Sequence, residues 1–269
     1  MNSIVSIKNI LFGYQEDKDV FKDFSLDIPS GVTAIIGQNG TGKSTLMLLA
    51  AARLIPEEGD ILLLGKDTKE ITDEEELNRT ASVIYQNMEF DTDETIGNLL
   101  NFVYNSGHHS NMTDKVLINE IIDVMELKDS LDKKTNAASK GEMQRVVIAF
   151  SLLYGSPIIF MDEPVFALEN HQKDKVFKYV TEYAKNHNRN IVYTIHDLDI
   201  SRKFCDNVIL FHKNGKAEVG TKDIMLSKEK LEEAYQVPLH LLYEREKLNR
   251  DTLVNIDKEK SGLTGKVID

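Results

Sequence analysis

Apolar and polar residues alternate along the first third of the chain, a pattern typical of strands with one buried face. The alternation predicts strands at residues 4–7, 24–28 and 59–64. Residues 32–36 are apolar apart from one threonine and end at a glycine, as expected for a buried central strand. The first third of the chain therefore contributes mainly strands.

Helical spacing replaces this alternation in two parts of the chain. The first starts at Lys43, continues to Leu54 and is ended by Pro56. The second covers about residues 93–153 and is interrupted by a polar stretch at 105–111. We interpret this longer part as a helical insertion.

Strands and helices alternate after the turn sequence G-S-P at residues 155–157. The predicted strands are 158–161, 191–195 and 207–211. A helix is expected near 172–186 and another between the last two strands, an order that predicts an α/β fold with a mostly parallel sheet covered on both faces. One more helix is predicted after about Ser227, and the polar stretch 251–269 is predicted to be weakly ordered.

The composition is that of a folded protein whose main ligand is not nucleic acid. Of the 269 residues, 41% are hydrophobic and 28% are charged, which excludes a disordered chain. The net charge of −12 has the wrong sign for binding DNA or RNA in bulk. No apolar stretch approaches the length of a membrane span, and the N-terminus lacks a basic region before an apolar run. A single cysteine, Cys205, cannot form an internal disulfide, so we expect a cytoplasmic protein.

Residues 37–45 read G-Q-N-G-T-G-K-S-T and satisfy the phosphate-loop pattern G-x-x-x-x-G-K-[ST]. The segment follows a predicted strand and opens a predicted helix, so that backbone N–H groups and the helix dipole can face a phosphate. Lys43 is expected to neutralise the β- and γ-phosphates of ATP, and Ser44 to offer a hydroxyl to Mg²⁺. The predicted nucleotide-binding residues are Gly37, Asn39, Gly40, Thr41, Gly42, Lys43, Ser44 and Thr45.

Two adjacent carboxylates, Asp162 and Glu163, follow the apolar strand predicted at 158–161. Alternation along a strand sends neighbouring side chains in different directions. We therefore expect Asp162 to serve Mg²⁺, and Glu163 to be the base that orients and deprotonates the attacking water.

With these two motifs in order, the chain resembles the ATP-binding cassette (ABC) ATPases over about residues 3–225. The resemblance implies a P-loop NTPase core with a mostly parallel sheet, an N-terminal antiparallel β subdomain and a helical insertion subdomain at about 87–153. It places the ATPase domain at residues 1–226 and leaves a short C-terminal helix and polar tail at 227–269. Mg²⁺ and ATP are the cofactors that it implies.

The family's signature sequence, L-S-G-G-Q, stands here as A-S-K-G-E at residues 138–142. Ala138, Lys140 and Glu142 differ from the common pattern, whereas Ser139 and Gly141 are retained. The family mechanism implies that Ser139 and the Gly141 backbone cap the γ-phosphate of an ATP bound to a second copy of the chain. Two copies would then enclose two ATP molecules.

The resemblance assigns roles to further residues. Gln86 resembles the family's Q-loop glutamine, which senses Mg²⁺ and the γ-phosphate, and His196 resembles its switch histidine, which holds the attacking water together with the base. Tyr14 matches the aromatic residue that stacks on adenine, with Phe12 as the competing candidate. The segment 166–169, F-A-L-E, aligns with the D-loop and makes Glu169 a candidate dimer contact.

Residues 235–238 read Y-Q-V-P and resemble the Y-G-V-P ending of cassettes that serve importers of iron–siderophores, haem and cobalamin. The resemblance implies an importer cassette on the inner face of the cell membrane, held by integral membrane permease subunits and served indirectly by a solute-binding protein. An iron complex is the expected solute. The alternative is a soluble ABC ATPase that acts as an assembly factor, such as in iron–sulfur cluster biogenesis. No nucleic-acid partner is expected.

Overall fold

The computed structural model describes residues 2–15, 18–86, 88, 92–108 and 116–244. The polar stretch predicted at 251–269 lies outside these residues. The strands are β1 Ser3–Gly13, β2 Asp19–Pro29, β3 Val32–Ile36, β4 Glu58–Leu63, β5 Lys66–Asp67, β6 Ala81–Ile84, β7 Ile158–Asp162, β8 Asn190–Thr194, β9 Asn207–Phe211 and β10 Ala217–Thr221. The helices are α1 Lys43–Ala50, α2 Glu74–Thr80, α3 Ile96–Ser106, α4 Val116–Val124, α5 Lys140–Tyr154, α6 Asn170–Asn186, α7 Leu198–Phe204, α8 Lys222–Met225 and α9 Lys228–Tyr235.

The strands form two sheets of different kinds. The N-terminal sheet has the order β2-β1-β4-β5, and all its neighbouring strands are antiparallel. The second sheet has the order β10-β9-β3-β8-β7-β6, and its strands are parallel except for β10 against β9. The predicted fold class, with a mostly parallel sheet and a separate antiparallel N-terminal part, is confirmed.

Parallel pairing brings the carboxyl ends of β3, β6, β7 and β8 to one edge of the second sheet. The segments that follow these strands carry the phosphate loop, Gln86, Glu163 and His196. In open α/β sheets, ligands bind outside the carboxyl ends of the strands. The topology therefore gathers residues that are far apart in sequence at one place.

Two hydrophobic cores cover the two faces of the second sheet. One core contains α5, α6 and apolar residues of α3 and α4, and the other contains α1 and the inner face of the N-terminal sheet. Every residue of β3 is buried, as its apolar run predicts. The strand that leads into the phosphate loop is thus fixed from both sides.

Some boundaries differ from those expected. The helix predicted to continue to Leu54 ends at Ala50, because Ala52 takes a left-handed conformation (φ 56°) and the N–H of Arg53 turns back to the carbonyl of Leu48. The first two strands are longer than predicted, at 11 residues each. Strand β10 is not anticipated, since its residues are all half-buried and show no alternation.

The region 93–153 contains three helices, as its spacing predicts. Helix α6 agrees with the helix predicted near 172–186. Within the described ranges, no helix has the length and apolar character needed to cross a bilayer.

Candidate functional site

The phosphate loop has a backbone that requires glycine at two points. Gly37 has φ 149°, and a Cβ atom there would lie 2.7 Å from the Cβ of Phe211 on β9. Gly42 has φ 98°, and its Cβ would lie 2.9 Å from the ring of Phe21 on β2. Both glycines therefore let the loop lie close against neighbouring strands while it curves into α1.

Lys43 is the first residue of α1 and folds back over the loop. Its Nζ donates hydrogen bonds to the carbonyls of Gly37 (3.0 Å) and Gln38 (2.9 Å). Burial lowers the pKa of Lys43, while the charges of Glu163 and Asp162 raise it in opposition. The ammonium is thus held in the concave side of the loop, with the two carboxylates near enough to act on it.

Tyr14 and Phe12 occupy different environments. Phe12 is 7% exposed and packs in the core, whereas Tyr14 is 61% exposed and lines a cavity of about 430 Å³ with Gly40, Thr41 and Lys213. The two rings meet edge to face at 5.2 Å. Of these two candidates, Tyr14 presents its ring to the space beside the loop.

The other predicted loop residues have distinct surroundings. Thr41 donates to the carbonyl of Gln38 at 2.9 Å, and the Thr45 hydroxyl lies 3.2 Å from the hydroxyl of Tyr14. Asn39 and Ser44 are exposed. The side chain of Ser44 is therefore accessible at the start of α1.

The two carboxylates at the end of β7 diverge for a reason other than the one expected. Strand alternation does not reach Glu163, because β7 ends at Asp162 and Glu163 takes a left-handed conformation with φ 47°. The buried hydroxyl of Thr194 on β8 lies between the two residues. It donates to Oδ1 of Asp162 and accepts the backbone N–H of Glu163 at 2.9 Å.

The Glu163 carboxylate joins two other predicted residues. Its Oε1 lies 2.9 Å from Nε2 of His196, and its Oε2 accepts a hydrogen bond from Nε2 of Gln86 at 3.1 Å. The hydrogen bond from His196 lowers the pKa of Glu163, burial raises it, and the charges of His196 and Lys43 lower it further, with a net shift downward. Glu163 is therefore ionised at neutral pH and can accept a proton.

Asp162, Ser44 and Gln86 are the predicted Mg²⁺ residues. All three present oxygen atoms, the donor type that Mg²⁺ prefers. The hydrogen bond from Thr194 fixes one oxygen of Asp162, and the side chains of Ser44 and Gln86 are exposed. The donor chemistry fits this ion.

Ser139 and Gly141 lie at the start of α5. Ser139 caps the helix: its Oγ accepts the N–H of Glu142 (3.2 Å), and the Glu142 carboxylate accepts the N–H of Ser139 (2.8 Å). A Cβ on Gly141 would lie 3.1 Å from the carbonyl oxygen of Ala167, so the helix start packs closely against the segment after β7.

Glu142, where the family signature has glutamine, has a structural role. It also accepts hydrogen bonds from Ser130 and from Lys133, the latter at 2.7 Å. Burial raises the pKa of Glu142, but the bonds from Lys133, Ser130 and Ser139 outweigh this effect and lower it from 4.5 to about 2. The carboxylate therefore ties the first turn of α5 to the preceding segment.

Glu169 is exposed and begins α6, where it forms a capping box with Gln172. The structure thus gives this side chain a local role and leaves it accessible. Phe166 is also exposed, at 44%. The segment 166–169 therefore presents accessible side chains on the surface.

Three polar side chains of this region escaped the sequence reasoning. Thr194 links the two carboxylates, as described above. Gln144 on α5 donates to the carbonyl of Glu163 at 3.2 Å and accepts the N–H of Ala167 at 3.1 Å. Gln38 donates to the carbonyl of Tyr235 at 2.6 Å, which joins the phosphate loop to the end of α9. Their only sequence signal is proximity to the motifs.

The sequence reasoning also found no carboxylate at ligand spacing for the remaining histidines, which is wrong for His212. The β9–β10 hairpin brings its Nε2 within 2.8 Å of Glu218, and Lys230 on α9 binds the second oxygen of that carboxylate at 2.6 Å. Ligand atoms of His212, Glu218 and Glu233 lie within 4.8 Å of one another. Since the Lys230 ammonium already pairs with Glu218, we interpret this group as an ion-pair network that holds α9 against the hairpin.

Comparison with known proteins gives a consistent match. The family model described as "ABC transporter" matches residues 21–166, more than half of the chain. The iron-sulfur clusters transporter ATM1 of Kluyveromyces lactis mitochondria is 32% identical over 234 residues, which are 83% of this chain and 31% of that protein. The chain thus spans about a third of that relative's length. The petrobactin import ATP-binding protein YclP of Bacillus subtilis is 29% identical over 241 residues, 88% of this chain and 94% of YclP.

Solved structures share the fold. A dimeric ATP-binding cassette in a post-hydrolysis state, bound to ADP and phosphate, has a TM-score of 0.68 and 23% identity, with 81% of this chain and 98% of that chain covered. CbiO1 of Clostridium perfringens, part of the ABC transporter complex CbiONQ, has a TM-score of 0.69 and 24% identity, with 86% of this chain and 93% of that chain covered.

Proposed function

The chain belongs to the ABC transporter family, and we propose that it powers the import of an iron–siderophore or related metal complex. It is an ATPase, the ATP-binding and ATP-hydrolysing part of such a transporter. The solute, the direction of transport and the residue roles that follow are our proposal.

The observation that carries the hydrolytic role is the position of Glu163 between His196 and Gln86. Its carboxylate is ionised and held on one oxygen by each of these two side chains. In the proposed reaction, a water attacks the γ-phosphorus of ATP and gives one proton to Glu163, while the bond to the bridging oxygen of ADP breaks. His196 keeps the carboxylate oriented toward that water.

The phosphate loop holds the nucleotide in this proposal. Lys43 exchanges its two carbonyl partners for phosphate oxygens, and the N–H groups at the start of α1 bind the β-phosphate. Tyr14 stacks on the base in the neighbouring cavity. Asp162, Ser44 and Gln86 would hold Mg²⁺, which when bound neutralises charge between the β- and γ-phosphates.

A second copy of the chain completes each site in the proposal. Ser139 is exposed at the start of α5, and Gly141 leaves the backbone open to close approach. These residues would cap the γ-phosphate held by the partner copy, and Glu169 would contact that copy. The resulting dimer would sit beneath permease subunits at the inner face of the cell membrane.

Two observations support import. The segment 235–238 resembles the ending of importer cassettes, and the structure packs its first residue, Tyr235, against Gln38 of the phosphate loop. The alignment with the petrobactin import protein YclP spans nearly the whole of that relative. An iron complex taken up through a solute-binding protein is the solute class that these observations favour.

The testing experiment is affinity capture of the Glu163→Gln protein from solubilised native membranes in the presence of ATP, with co-purified proteins identified by mass spectrometry. Glu163→Gln should accumulate the ATP-bound state because it lacks the base. The matched control is Lys43→Ala under the same conditions, which should not reach that state.

Capture of a many-helix permease by Glu163→Gln, with a solute-binding protein, would support the importer. Metal bound to that binding protein would then test the iron assignment. Capture of soluble proteins alone would contradict import and favour the alternative, an assembly ATPase such as one in iron–sulfur cluster biogenesis.

A further inference from the structure

The backbone of Glu163 is held in a conformation that a glutamate rarely adopts. Its φ of 47° lies in the left-handed region, which costs roughly 1–2 kcal/mol for a residue with a Cβ. Such a conformation persists only where neighbouring groups enforce it. The question is which groups of this chain do so.

Two side chains grip the peptide groups on either side of Glu163. The hydroxyl of Thr194 accepts its N–H at 2.9 Å, and the amide of Gln144 donates to its carbonyl at 3.2 Å. That carbonyl also accepts the N–H of Phe166 at 3.2 Å, which closes a turn. Thr194 is 1% exposed and belongs to the central sheet, so its position is fixed.

Gln144 belongs to a different part of the structure. It lies on α5, the helix that begins at Ser139, and its amide oxygen also accepts the N–H of Ala167 at 3.1 Å. The close approach of Gly141 to the Ala167 carbonyl adds a second contact between α5 and this segment. A shift of α5 is therefore transmitted to both ends of the segment 163–167.

We propose that Gln144 is a positioning residue, which links the start of α5 to Glu163 and, with Thr194 as the fixed anchor, places the carboxylate for reaction. This inference rests on the proposed function, since it takes Glu163 to be the base. Gln144 acts through Glu163 and does not touch the nucleotide. The nucleotide of the partner copy, bound at Ser139, would thereby influence the base of this copy through one helix.

The first test is steady-state ATP hydrolysis by Gln144→Leu, a substitution of similar size without hydrogen bonds. We expect kcat to fall about 10- to 100-fold, the cost of a base displaced by a fraction of its reach. KM for ATP should stay near the wild-type value, because the phosphate loop is untouched. A fall in affinity for ATP with unchanged kcat would overturn the inference.

The second test separates positioning from general destabilisation. Thr194→Val should lower kcat and Thr194→Ser should restore it, because serine keeps the hydroxyl. Thr181→Val is the matched control: it removes a hydroxyl that bonds the backbone carbonyls of Phe177 and Phe204. It should lower the melting temperature with little effect on kcat. Equal loss of kcat in Thr181→Val and Thr194→Val would contradict positioning.

The decisive test is a double-mutant cycle. If Gln144 acts through Glu163, then Gln144→Leu should cause no further loss of kcat in the Glu163→Gln background. Losses that multiply would overturn the inference while leaving Glu163 as the base. A wild-type kcat for Glu163→Gln alone would overturn the base assignment itself.

Thermal unfolding of each variant shows whether it folds. If Gln144→Leu does not fold, Gln144→Glu replaces it in the cycle. That variant keeps an acceptor for the Ala167 N–H and loses the donor to the Glu163 carbonyl. A wild-type kcat for Gln144→Glu would overturn the role of that donor.

Discussion

The phosphate loop and the first turn of α5 both begin a helix at a proposed phosphate contact, but they end their helices in different ways. Helix α1 follows Gly42 and has no side-chain cap, so the N–H groups of its first turn are open to a ligand. Helix α5 follows Ser139 and is closed by a capping box with Glu142. The first is built to receive the chain's own nucleotide, and the second offers mainly the hydroxyl proton of Ser139.

This comparison makes the largest prediction at the open helix. Lys43→Ala should abolish ATP binding and hydrolysis, because the loop loses the one ammonium held in its concave side. Binding is measured by calorimetric titration with ATP, and turnover by phosphate release. The control is Lys178→Ala, an exposed lysine on α6. Normal hydrolysis by Lys43→Ala would contradict the assignment of the loop.

The next effect lies beside that loop. Glu163→Gln should lower hydrolysis about 10²- to 10⁴-fold, the usual contribution of a general base. Dimers formed with ATP should persist, since no binding contact is lost. Sedimentation with and without ATP measures the dimer. An unchanged rate would mean that another group takes the proton.

Substitution at the capped helix should have the opposite distribution of effects. Ser139→Ala should weaken ATP-dependent dimers about 10- to 100-fold, since a hydrogen bond to a charged group contributes roughly 1.5–3 kcal/mol. ATP binding to the isolated chain should not change. Ser227→Ala, which removes the equivalent cap of α9, controls for loss of a helix cap. A loss of monomer binding in Ser139→Ala would show that this serine serves its own site.

The smallest effect concerns Glu142. Its folded-state pKa of about 2 is below the ordinary 4.5, so its contribution to stability is present above pH 4.5 and is lost as the pH falls toward 2. We expect Glu142→Gln to cost about 1–3 kcal/mol at neutral pH. The difference in melting temperature from wild type should shrink as the pH falls from 4.5. A constant difference would show that the charge of Glu142 is irrelevant.

Features encoded by neighbouring residues were predictable from the sequence. The order of strand, glycine loop and helix at residues 32–50 follows from local pattern, and so does the strand before Asp162. The helix was placed too far, to Leu54, because its apolar spacing continues where the backbone of Ala52 turns. Pattern alone does not register such a turn.

Features that depend on distant contacts were not predictable. The left-handed backbone of Glu163 has no sequence signature, and the strand alternation that was expected to orient it ends one residue earlier. Gln144 and Thr194 become relevant only when α5 and β8 are packed against the segment after β7. Residue type at these positions is ordinary, and the fold supplies the geometry.

The contact between Gln38 and Tyr235 has a consequence for synthesis of the chain. The two residues are separated by 197 positions, and β3 pairs with β8 and β9, which are also made late. At about 5–20 residues per second, roughly 10–40 s pass between translation of the phosphate loop and translation of its last support. The nucleotide pocket is therefore among the last parts of the molecule to mature on the ribosome, although its motif is among the first to emerge.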